Sequence, residues 1–432
     1  MLTLIKNGWV VDPANNIDGI AHIVINDNQI QDIITESDSC VLSEADKVID
    51  ANGCMVIPGL IDLHVHLREP GFEYKETIKT GSMAAAKGGF TTICPMPNTN
   101  PTIDSKEMVE FIMNKAKDES PVHIIPVGAV TLGQIGDEVT DVAAMKTAGA
   151  GAISEDGKSV MNSKVYEEGM IRAKEAGIPV FAHCEDKNLV KQGALNESEK
   201  SKELGVNGIS NAVEDIIVAR DILLAKQTGA KLHLCHCSTK DSVVMIAEAK
   251  KQGLDVTGEV CPHHFILCDE DIPCDDANYK MNPPLRGKED VEALLEGLKD
   301  GTMDVISTDH APHSEEEKKR TIAKAPFGIV GIETSFALSY TYLVKKGYLT
   351  MSQLVEKMSY NPAKVLGIEK GTLGKGCVAD ITIVNVNDEY EIKASEFISK
   401  GKNTPFDGYK VYGQIVATIV DGEVVYSNCE TI

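Results

Sequence analysis

The stretch Asp62-Leu63-His64-Val65-His66-Leu67-Arg68 places two histidines two residues apart within an apolar run. Alternate residues of a β-strand share one face, so Asp62, His64 and His66 project the same way. Two imidazoles at this spacing can bind one metal ion from a single strand. A pair of hydrogen-bonded core histidines is the alternative, but it does not account for the arginine and the proline-glycine turn that follow. The stretch therefore predicts a strand with a metal site at its carboxyl end.

From about residue 59 to about residue 369, short β-branched runs alternate with longer helical patterns. Eight such units predict an α/β fold, a (β/α)₈ TIM-type barrel, which typically needs about 250 residues. An open doubly wound sheet is the alternative, but it does not explain why polar residues follow so many separate strands. The predicted strands are residues 60–66, 91–95, 122–129, 151–154, 178–183, 232–236, 255–260 and 304–308, and the clearest helices are residues 79–87, 161–175, 212–227, 242–252 and 291–298.

The two chain ends have a different pattern. Residues 1–58 and 371–432 consist of short alternating segments separated by turn pairs such as Asn7-Gly8 and Asp421-Gly422. Each end is too small to form a core of its own. We expect both ends to pair into one small β-sandwich domain that flanks a barrel domain of residues 59–370. Residues 314–320 form a charge run, which we expect to be a solvated loop.

Three further strand ends carry candidate metal ligands: His183, His236 and Asp309 each close an apolar run. Taken singly, such a histidine is more often a satisfied buried residue than a ligand. Together with the two histidines of the first strand, they would lie on the barrel rim that carries active sites. Asp156 follows another strand and could bridge two metal ions about 3.5–4 Å apart, although Asp156-Gly157 could also be a plain turn.

Composition excludes several classes of protein. The formal charge of −23, from 42 basic and 65 acidic residues, argues against nucleic acid and anionic membranes as partners. No apolar run approaches the roughly 18 residues of a membrane helix, and the first residues lack a signal-peptide pattern. Eleven cysteines, from Cys40 to Cys429, form no compact framework, and the spacing of Cys235 and Cys237 is not that of a zinc knuckle. We expect free thiols and a cytoplasmic location.

The chain resembles the amidohydrolase superfamily and, within it, the longer-chain bacterial dihydroorotases. The resemblance covers nearly the whole chain, and its first and last segments are the most specific. It rests on residues 62–71, on Pro97-Asn98-Thr99, on residues 154–157, on Ala182-His183-Cys184-Glu185, on residues 234–238, on Met281-Asn282-Pro283-Pro284-Leu285-Arg286 and on Thr308-Asp309-His310-Ala311-Pro312-His313.

The resemblance implies two zinc ions and an anionic small-molecule substrate. His64, His66 and Asp309 would bind one zinc, His183 and His236 the second, and Asp156 both. The residues that it implies for substrate binding are His66, Arg68, Asn98, Asn282, His313, Phe327 and Gly328. Many superfamily members bridge their metals with a carboxylated lysine, for which Lys158 is the alternative here. We favour Asp156, because it matches the dihydroorotase pattern and needs no modification.

The activity implied by the resemblance is the reversible cyclisation of N-carbamoyl-L-aspartate to dihydroorotate, in de novo pyrimidine (UMP) biosynthesis. Zinc would activate water and polarise the carbonyl, while Asp309 moves the proton. Two zinc ions supply four positive charges, Asp156, Asp309 and hydroxide remove three, and Arg68 adds one, which suits an anionic substrate. The alternatives are a dihydropyrimidinase, hydantoinase or allantoinase, and a catalytically silent scaffold barrel. A homodimer and an association with aspartate carbamoyltransferase stay open.

Overall fold

The computed structural model describes residues 1–34 and 45–428. Two of the cysteines expected to be free thiols, Cys40 and Cys429, lie outside these ranges. The described cysteines Cys94, Cys184, Cys235, Cys237, Cys261, Cys268, Cys274 and Cys377 are free thiols, as expected. Within the described ranges, no helix is both long enough and apolar enough to cross a lipid bilayer.

Short strands and helices alternate through the middle of the chain. The strands are β1 Leu2–Asp12, β2 Ile17–Asn26, β3 Gln29–Ile34, β4 Lys47–Asp50, β5 Met55–Pro58, β6 Leu60–Val65, β7 Phe90–Pro95, β8 His123–Ile124, β9 Val127–Ala129, β10 Ala152–Ser154, β11 Val180–Ala182, β12 Leu195–Asn196, β13 Gly208–Ile209, β14 Leu232–Leu234, β15 Val256–Val260, β16 Val305–Ile306, β17 Ile381–Asn385, β18 Tyr390–Glu391, β19 Lys410–Val411, β20 Gln414–Val420 and β21 Glu423–Ser427.

The helices lie mainly between these strands. They are α1 Ile78–Lys87, α2 Lys106–Glu119, α3 Val142–Ala148, α4 Ser163–Ala176, α5 Glu199–Glu203, α6 Ala212–Thr228, α7 Lys240–Lys251, α8 Pro262–Ile266, α9 Lys288–Asp300, α10 Glu315–Lys318, α11 Ser335–Ser339, α12 Met351–Val355 and α13 Asn361–Leu366. Two π-helical segments follow α11 and α12, and 3₁₀ turns occur in the connections.

The central strands pair in parallel and in sequence order. One sheet runs β6-β7-β8 and the other runs β9-β10-β11-β14-β15-β16. β8 and β9 are the two halves of the predicted strand 122–129, which is interrupted where Pro126 offers no N–H to a neighbour. At the other edge, Val65 of β6 forms a parallel bridge with His310, just beyond β16. Every one of the eight predicted strands contains an observed strand, and the α/β class is confirmed.

Local sequence explains where the helices begin and end. The Asn162 side chain caps α4 by accepting from the backbone N–H of Lys164, and Gly177 ends that helix with a left-handed φ of 71°. Thr77 caps α1 in the same way by accepting from Thr80 N–H. All five predicted helices are present, displaced by no more than a few residues. Such boundaries bring each following strand back to the sheet at a fixed position.

The two chain ends form a single eight-stranded sheet beside the parallel strands. Its order is β21-β20-β17-β5-β1-β2-β3, and β4 pairs with β1. The antiparallel pairing of β5 with β17 joins the two ends, with Ile57 opposite Thr382. The sheet has an aliphatic core of its own, which includes Ile23, Ile49 and Ile381. The two ends therefore pair with each other in one sheet, which we call the flanking sheet, and their arrangement as a β-sandwich domain stays a prediction.

Candidate metal centre

The six predicted metal ligands lie at, or just beyond, the carboxyl ends of parallel strands. His66 follows β6 directly, and His64 lies on that strand. His183 follows β11, and Asp156, His236 and Asp309 lie within three residues of the ends of β10, β14 and β16. Parallel strands end on the same side of their sheet, which is why residues so distant in sequence meet here.

Asp156 lies at the centre of this group, so we call the six residues the Asp156 cluster. Its carboxylate is buried and close to an imidazole nitrogen of every histidine in the cluster. The distances are 3.3 Å to His64 Nε2, 3.6 Å to His66 Nε2, 3.5 Å to His183 Nδ1 and 3.8 Å to His236 Nε2. The alternative bridging residue, Lys158, is exposed. The structure therefore places Asp156, and not Lys158, among the four histidines.

Asp309 completes the cluster on the side of β6. Its Oδ1 atom lies 3.1 Å from His66 Nε2 and 3.6 Å from His64 Nε2. Burial raises the pKa of Asp309, but the hydrogen bond with His66 and the neighbouring imidazoles hold it below its usual value. The carboxylate is therefore ionised, which is the form that binds a metal ion or accepts a proton.

Three residues of this region have backbone conformations that non-glycine residues rarely adopt. The φ angle is 47° for Asp309, 34° for His236 and 60° for Arg68. Left-handed backbone of this kind costs about 1–3 kcal/mol per residue and is concentrated at functional sites. The surrounding structure thus holds the backbone of these three residues in a left-handed conformation that they would rarely adopt in a flexible chain.

The donor atoms of the cluster fit a divalent metal ion. The buried nitrogens His64 Nε2, His183 Nε2 and His236 Nδ1 have no hydrogen-bond partner among the described residues. Burial lowers the pKa of His183, but Asp156 and Glu185 raise it to about 10, so the buried carboxylates require a compensating cation. Imidazole and carboxylate groups are metal ligands, and binding a metal would replace the protons on the histidines.

Glu259 is a buried residue of the site that the sequence analysis missed. Its Oε1 atom lies 3.1 Å from His64 Nδ1 and accepts from the His236 backbone N–H, while Oε2 accepts from Ser307 Oγ at 2.6 Å. Because the ionised carboxylate can only accept a hydrogen bond, Nδ1 of His64 carries a proton, and Nε2 of the same ring faces the Asp156 cluster. An acidic residue within the buried strand β15 was the available sequence signal.

Asn98 contacts two members of the cluster. Its Oδ1 atom lies 3.0 Å from His66 Nδ1, and its Nδ2 atom donates to Asp156 Oδ2 at 2.8 Å. The amide therefore fixes the orientation of the His66 ring and of the Asp156 carboxylate. The sequence analysis assigned Asn98 to substrate binding alone, and this contact with the ligands is an additional finding.

Arg68 and His313 lie side by side, with Arg68 Nη2 3.4 Å from His313 Nε2. Arg68 Nε donates to the Pro312 carbonyl at 3.2 Å, which leaves guanidinium donors available. His313 Nε2 donates to the Phe327 carbonyl at 2.7 Å, and its Nδ1 accepts from Lys75 Nζ at 3.2 Å. Burial together with the charge of Arg68 lowers the pKa of His313 well below its ordinary value. His313 is therefore neutral, and Arg68 supplies the positive charge.

A cleft of about 180 Å³ opens above the cluster, and most of the remaining predicted residues line it. Asn282 lines it and donates from Nδ2 to Glu185 Oε2 at 2.5 Å, which leaves its Oδ1 atom as an acceptor. Gly328 also lines it with a φ of 127°, where an added Cβ would lie 2.6 Å from the Ala311 Cβ. The lining residues are His66, Arg68, Asn98, Asp156, Gly157, His183, His236, Asn282, Asp309, Ala311, Phe327 and Gly328.

The charge run of residues 314–320 is not simply a solvated loop, as the sequence analysis expected. It contains α10, whose Glu317 pairs with Lys75 at 3.0 Å. Lys318 Nζ donates to the carbonyls of Ala277 at 2.9 Å and Pro326 at 3.1 Å. Lys318 thereby links the charge run to the loops of Ala277 and Pro326, and the contacts support the wall that carries Phe327.

Comparisons with known proteins identify the family to which the chain belongs. A dihydro-orotase-like family model matches residues 53–242, and an amidohydrolase family model matches residues 294–426. A dihydroorotase from Bacillus pumilus is 49% identical, over 99% of this chain and 98% of the relative. A dihydroorotase from Acetivibrio thermocellus is 50% identical, over 98% of each chain.

Solved structures of related enzymes have the same fold. The L-hydantoinase (dihydropyrimidinase) from Arthrobacter aurescens has a TM-score of 0.86 at 28% identity, covering 100% of this chain and 97% of the other. The dihydropyrimidinase from Brevibacillus agri has a TM-score of 0.87 at 25% identity, covering 100% and 96%. The hydantoinases are thus similar in fold, while the relatives of higher sequence identity are dihydroorotases.

Proposed function

Because the chain belongs to the dihydroorotase family, we propose that it catalyses the reversible cyclisation of N-carbamoyl-L-aspartate to dihydroorotate and water. The observation that carries this function is the position of Asp156, whose carboxylate lies within 3.8 Å of an imidazole nitrogen of all four cluster histidines. A buried carboxylate surrounded in this way is suited to hold two metal ions beside a substrate carbonyl.

The metal that we propose is zinc, at two positions. His64, His66 and Asp309 would hold one ion, His183 and His236 the other, and Asp156 both. Imidazole nitrogen and carboxylate oxygen are common zinc ligands. When bound, zinc lowers the pKa of water to about 7 and polarises a carbonyl oxygen. It thereby activates both the attacking water and the substrate carbonyl.

Asp309 is the residue that we assign to proton transfer. Its ionised carboxylate lies beside the histidines of β6 and lines the cleft. During hydrolysis it accepts a proton from the attacking water and delivers it to the ring nitrogen as the amide bond breaks. During cyclisation it accepts the proton of the ureido nitrogen. The left-handed backbone at Asp309 keeps the carboxylate directed toward both the ligands and the cleft.

Substrate binding follows from the charges and hydrogen-bonding groups that line the cleft. Arg68 offers a planar pair of donors that suits a carboxylate, and neutral His313 lies next to it. The Oδ1 atom of Asn282 is positioned to accept from an N–H of the ring or ureido group. His66, Asn98 and the backbone of Phe327 and Gly328 complete the set of substrate-binding residues.

The same cleft argues against a neutral cyclic amide as the natural substrate. Arg68 and the proposed metal ions make the interior positive although the chain as a whole carries −23. A substrate with a carboxylate gains a charge-assisted contact there, whereas hydantoin has no carboxylate to offer. This difference separates the proposed activity from that of the hydantoinases, which share the fold.

We also propose that the parallel strands close into a (β/α)₈ barrel of residues 59–370, flanked by a domain of residues 1–58 and 371–432. The sequence-order pairing of the strands and the bridge between Val65 and His310 support closure. The separate aliphatic core of the flanking sheet supports the division into domains. The free thiols of described cysteines such as Cys94 and Cys184 support a cytoplasmic location.

Metal analysis coupled to an activity assay tests the proposal. The purified chain should contain zinc, hydrolyse dihydroorotate and form it from N-carbamoyl-L-aspartate, with little turnover of hydantoin or allantoin. A preparation that turns over hydantoin faster than dihydroorotate would overturn the assignment of the substrate. A zinc-loaded protein that is inactive on all three compounds would overturn the enzymatic function itself.

A further inference from the structure

A second group of metal-ligating side chains lies outside the Asp156 cluster. Cys261 follows β15, and His263 and His264 lie in the short helix α8. All three are buried, with 0% of Cys261 and 2% of each histidine exposed. One ligand atom from each, the Cys261 Sγ and a ring nitrogen of each histidine, lies within 4.8 Å of the other two.

The two imidazoles are short of hydrogen-bond partners. His264 Nε2 lies 2.9 Å from the Pro283 carbonyl, and a carbonyl can only accept, so Nε2 carries the proton and Nδ1 keeps its lone pair. In the part of the chain that the structure describes, neither His264 Nδ1 nor His263 Nε2 has a hydrogen-bond partner, although both are buried. Leaving such groups unpaired in the interior is unfavourable, because they lose the hydrogen bonds that water would offer.

The arrangement of the two rings brings their nitrogens to one place. The ring centroids of His263 and His264 are 4.2 Å apart and the planes are inclined by 61°. Burial lowers the pKa of both imidazoles, which leaves them neutral and able to coordinate. A thiol and two neutral imidazoles, all withdrawn from water, form a donor set of the kind that zinc prefers.

We propose that Cys261, His263 and His264 form a further binding site for a divalent cation of the zinc class, distinct from the Asp156 cluster. On binding, the Cys261 thiol releases its proton to solvent and the thiolate becomes a ligand, as the charge of the cation favours. The hydrogen bond from His264 to Pro283 links this site to the segment that carries Asn282. A bound cation would therefore stabilise one wall of the cleft.

Cobalt substitution tests this site independently of turnover. Cobalt(II) bound to a thiolate has a charge-transfer absorption in the near ultraviolet, whereas the Asp156 cluster offers only nitrogen and oxygen ligands. The full-length protein loaded with Co²⁺ should show this absorption, and C261S and H263A should each lose most of it. Equilibrium dialysis with Zn²⁺ should give one fewer equivalent bound to C261S than to the unmodified protein.

Two matched variants identify the sulfur. C268S removes another buried thiol, and C235S removes the thiol that precedes His236, and both should keep the absorption. Loss of the absorption in C235S but not in C261S would identify Cys235 as the thiolate ligand and would overturn the proposal. An absence of thiolate absorption in the cobalt-loaded protein would also overturn it.

The result does not depend on the reaction that the enzyme catalyses. Thiolate absorption in a protein without activity on dihydroorotate would support this site and contradict the proposed function. Full activity without the absorption would support the proposed function and contradict this site. Melting of each variant by circular dichroism separates loss of the site from loss of the fold, and a C261S protein that is folded but keeps the absorption overturns the proposal.

Discussion

The Asp156 cluster and the aliphatic core of the flanking sheet are both buried, but they are buried for different reasons. The flanking sheet encloses aliphatic side chains such as Ile23, Ile49 and Ile381, each fully removed from water. Burying a side chain of this kind contributes roughly 1.5–3 kcal/mol to stability. The Asp156 cluster buries carboxylates and imidazoles, which would be better solvated by water. The core of the sheet therefore stabilises the fold, whereas burial of the polar cluster lowers the net free energy of unfolding.

Backbone conformation shows the same contrast. Asp309 and His236 have positive φ angles at the cluster, whereas positive φ in the flanking sheet occurs at its turns and at the register shift beside Asn7 of β1. Among the described residues, the buried nitrogens His64 Nε2 and His236 Nδ1 have no hydrogen-bond partner, which adds to the conformational cost. We therefore expect substitutions in the Asp156 cluster to affect metal binding and turnover, and substitutions in the core of the flanking sheet to affect stability.

Removal of metal should have the largest effect. Dialysis against a strong chelator should abolish hydrolysis of dihydroorotate and lower the midpoint of thermal unfolding, because a ligand that binds only the folded state stabilises it. Adding Zn²⁺ should restore both properties. Zinc content measured in parallel checks the result, and full activity in a metal-free protein would contradict the role given to the cluster.

Asp309→Asn should lower kcat by about 10²- to 10⁴-fold, because an amide cannot accept the proton that the carboxylate transfers. Zinc content should stay unchanged, since the other ligands remain. Asp118→Asn, at an exposed position of α2, is the matched control and should leave kcat as it is. Turnover close to that of the unmodified protein would show that another group carries the proton.

Arg68→Met should raise KM for dihydroorotate by about 10- to 100-fold, because a charge-assisted hydrogen bond contributes roughly 1.5–3 kcal/mol. The melting temperature should change little, since Arg68 binds substrate and does not support the core. Arg172→Met removes a guanidinium that pairs with Glu168 on the surface and serves as the control. An unchanged KM would remove Arg68 from the substrate site.

Glu259→Gln should weaken metal binding by about 10- to 100-fold, which is typical when the hydrogen-bond partner of a ligating histidine is lost. The physical reason is that the His64 ring is no longer fixed by an anionic acceptor. Chelator competition measures the affinity, and Glu248→Gln on the exposed side of α7 is the control. Equal affinities for Glu259→Gln and the unmodified protein would show that other contacts orient His64.

Ile381→Ala should have the smallest effect on turnover and a clear effect on stability. Truncating a buried isoleucine lowers the free energy of unfolding by about 2–5 kcal/mol, while Ile381→Val should lower it by about 0.5–1.5 kcal/mol. Denaturant unfolding measures both variants. At a temperature where the protein remains folded, kcat should not change, and a tenfold loss would mean that the flanking sheet and the Asp156 cluster are coupled.

The sequence alone was sufficient for the elements and for the residues that meet at the strand ends. Strand and helix positions follow from apolar periodicity, and the structure places a strand in each of the eight predicted segments. The His64-Val65-His66 pattern and the polar residues after four other strands identified the Asp156 cluster. These features are local, because each depends on a few neighbouring residues and on the direction of parallel strands.

Tertiary structure alone decided which partners those residues have. Glu259 beside His64, Asn98 between His66 and Asp156, and the inward-facing Lys318 all involve groups brought together only when the chain folds. The same holds for the unpaired nitrogens of His263 and His264. A hydrogen bond depends on distances of about 3 Å and on direction, and periodicity does not determine such distances between residues that are far apart in the chain.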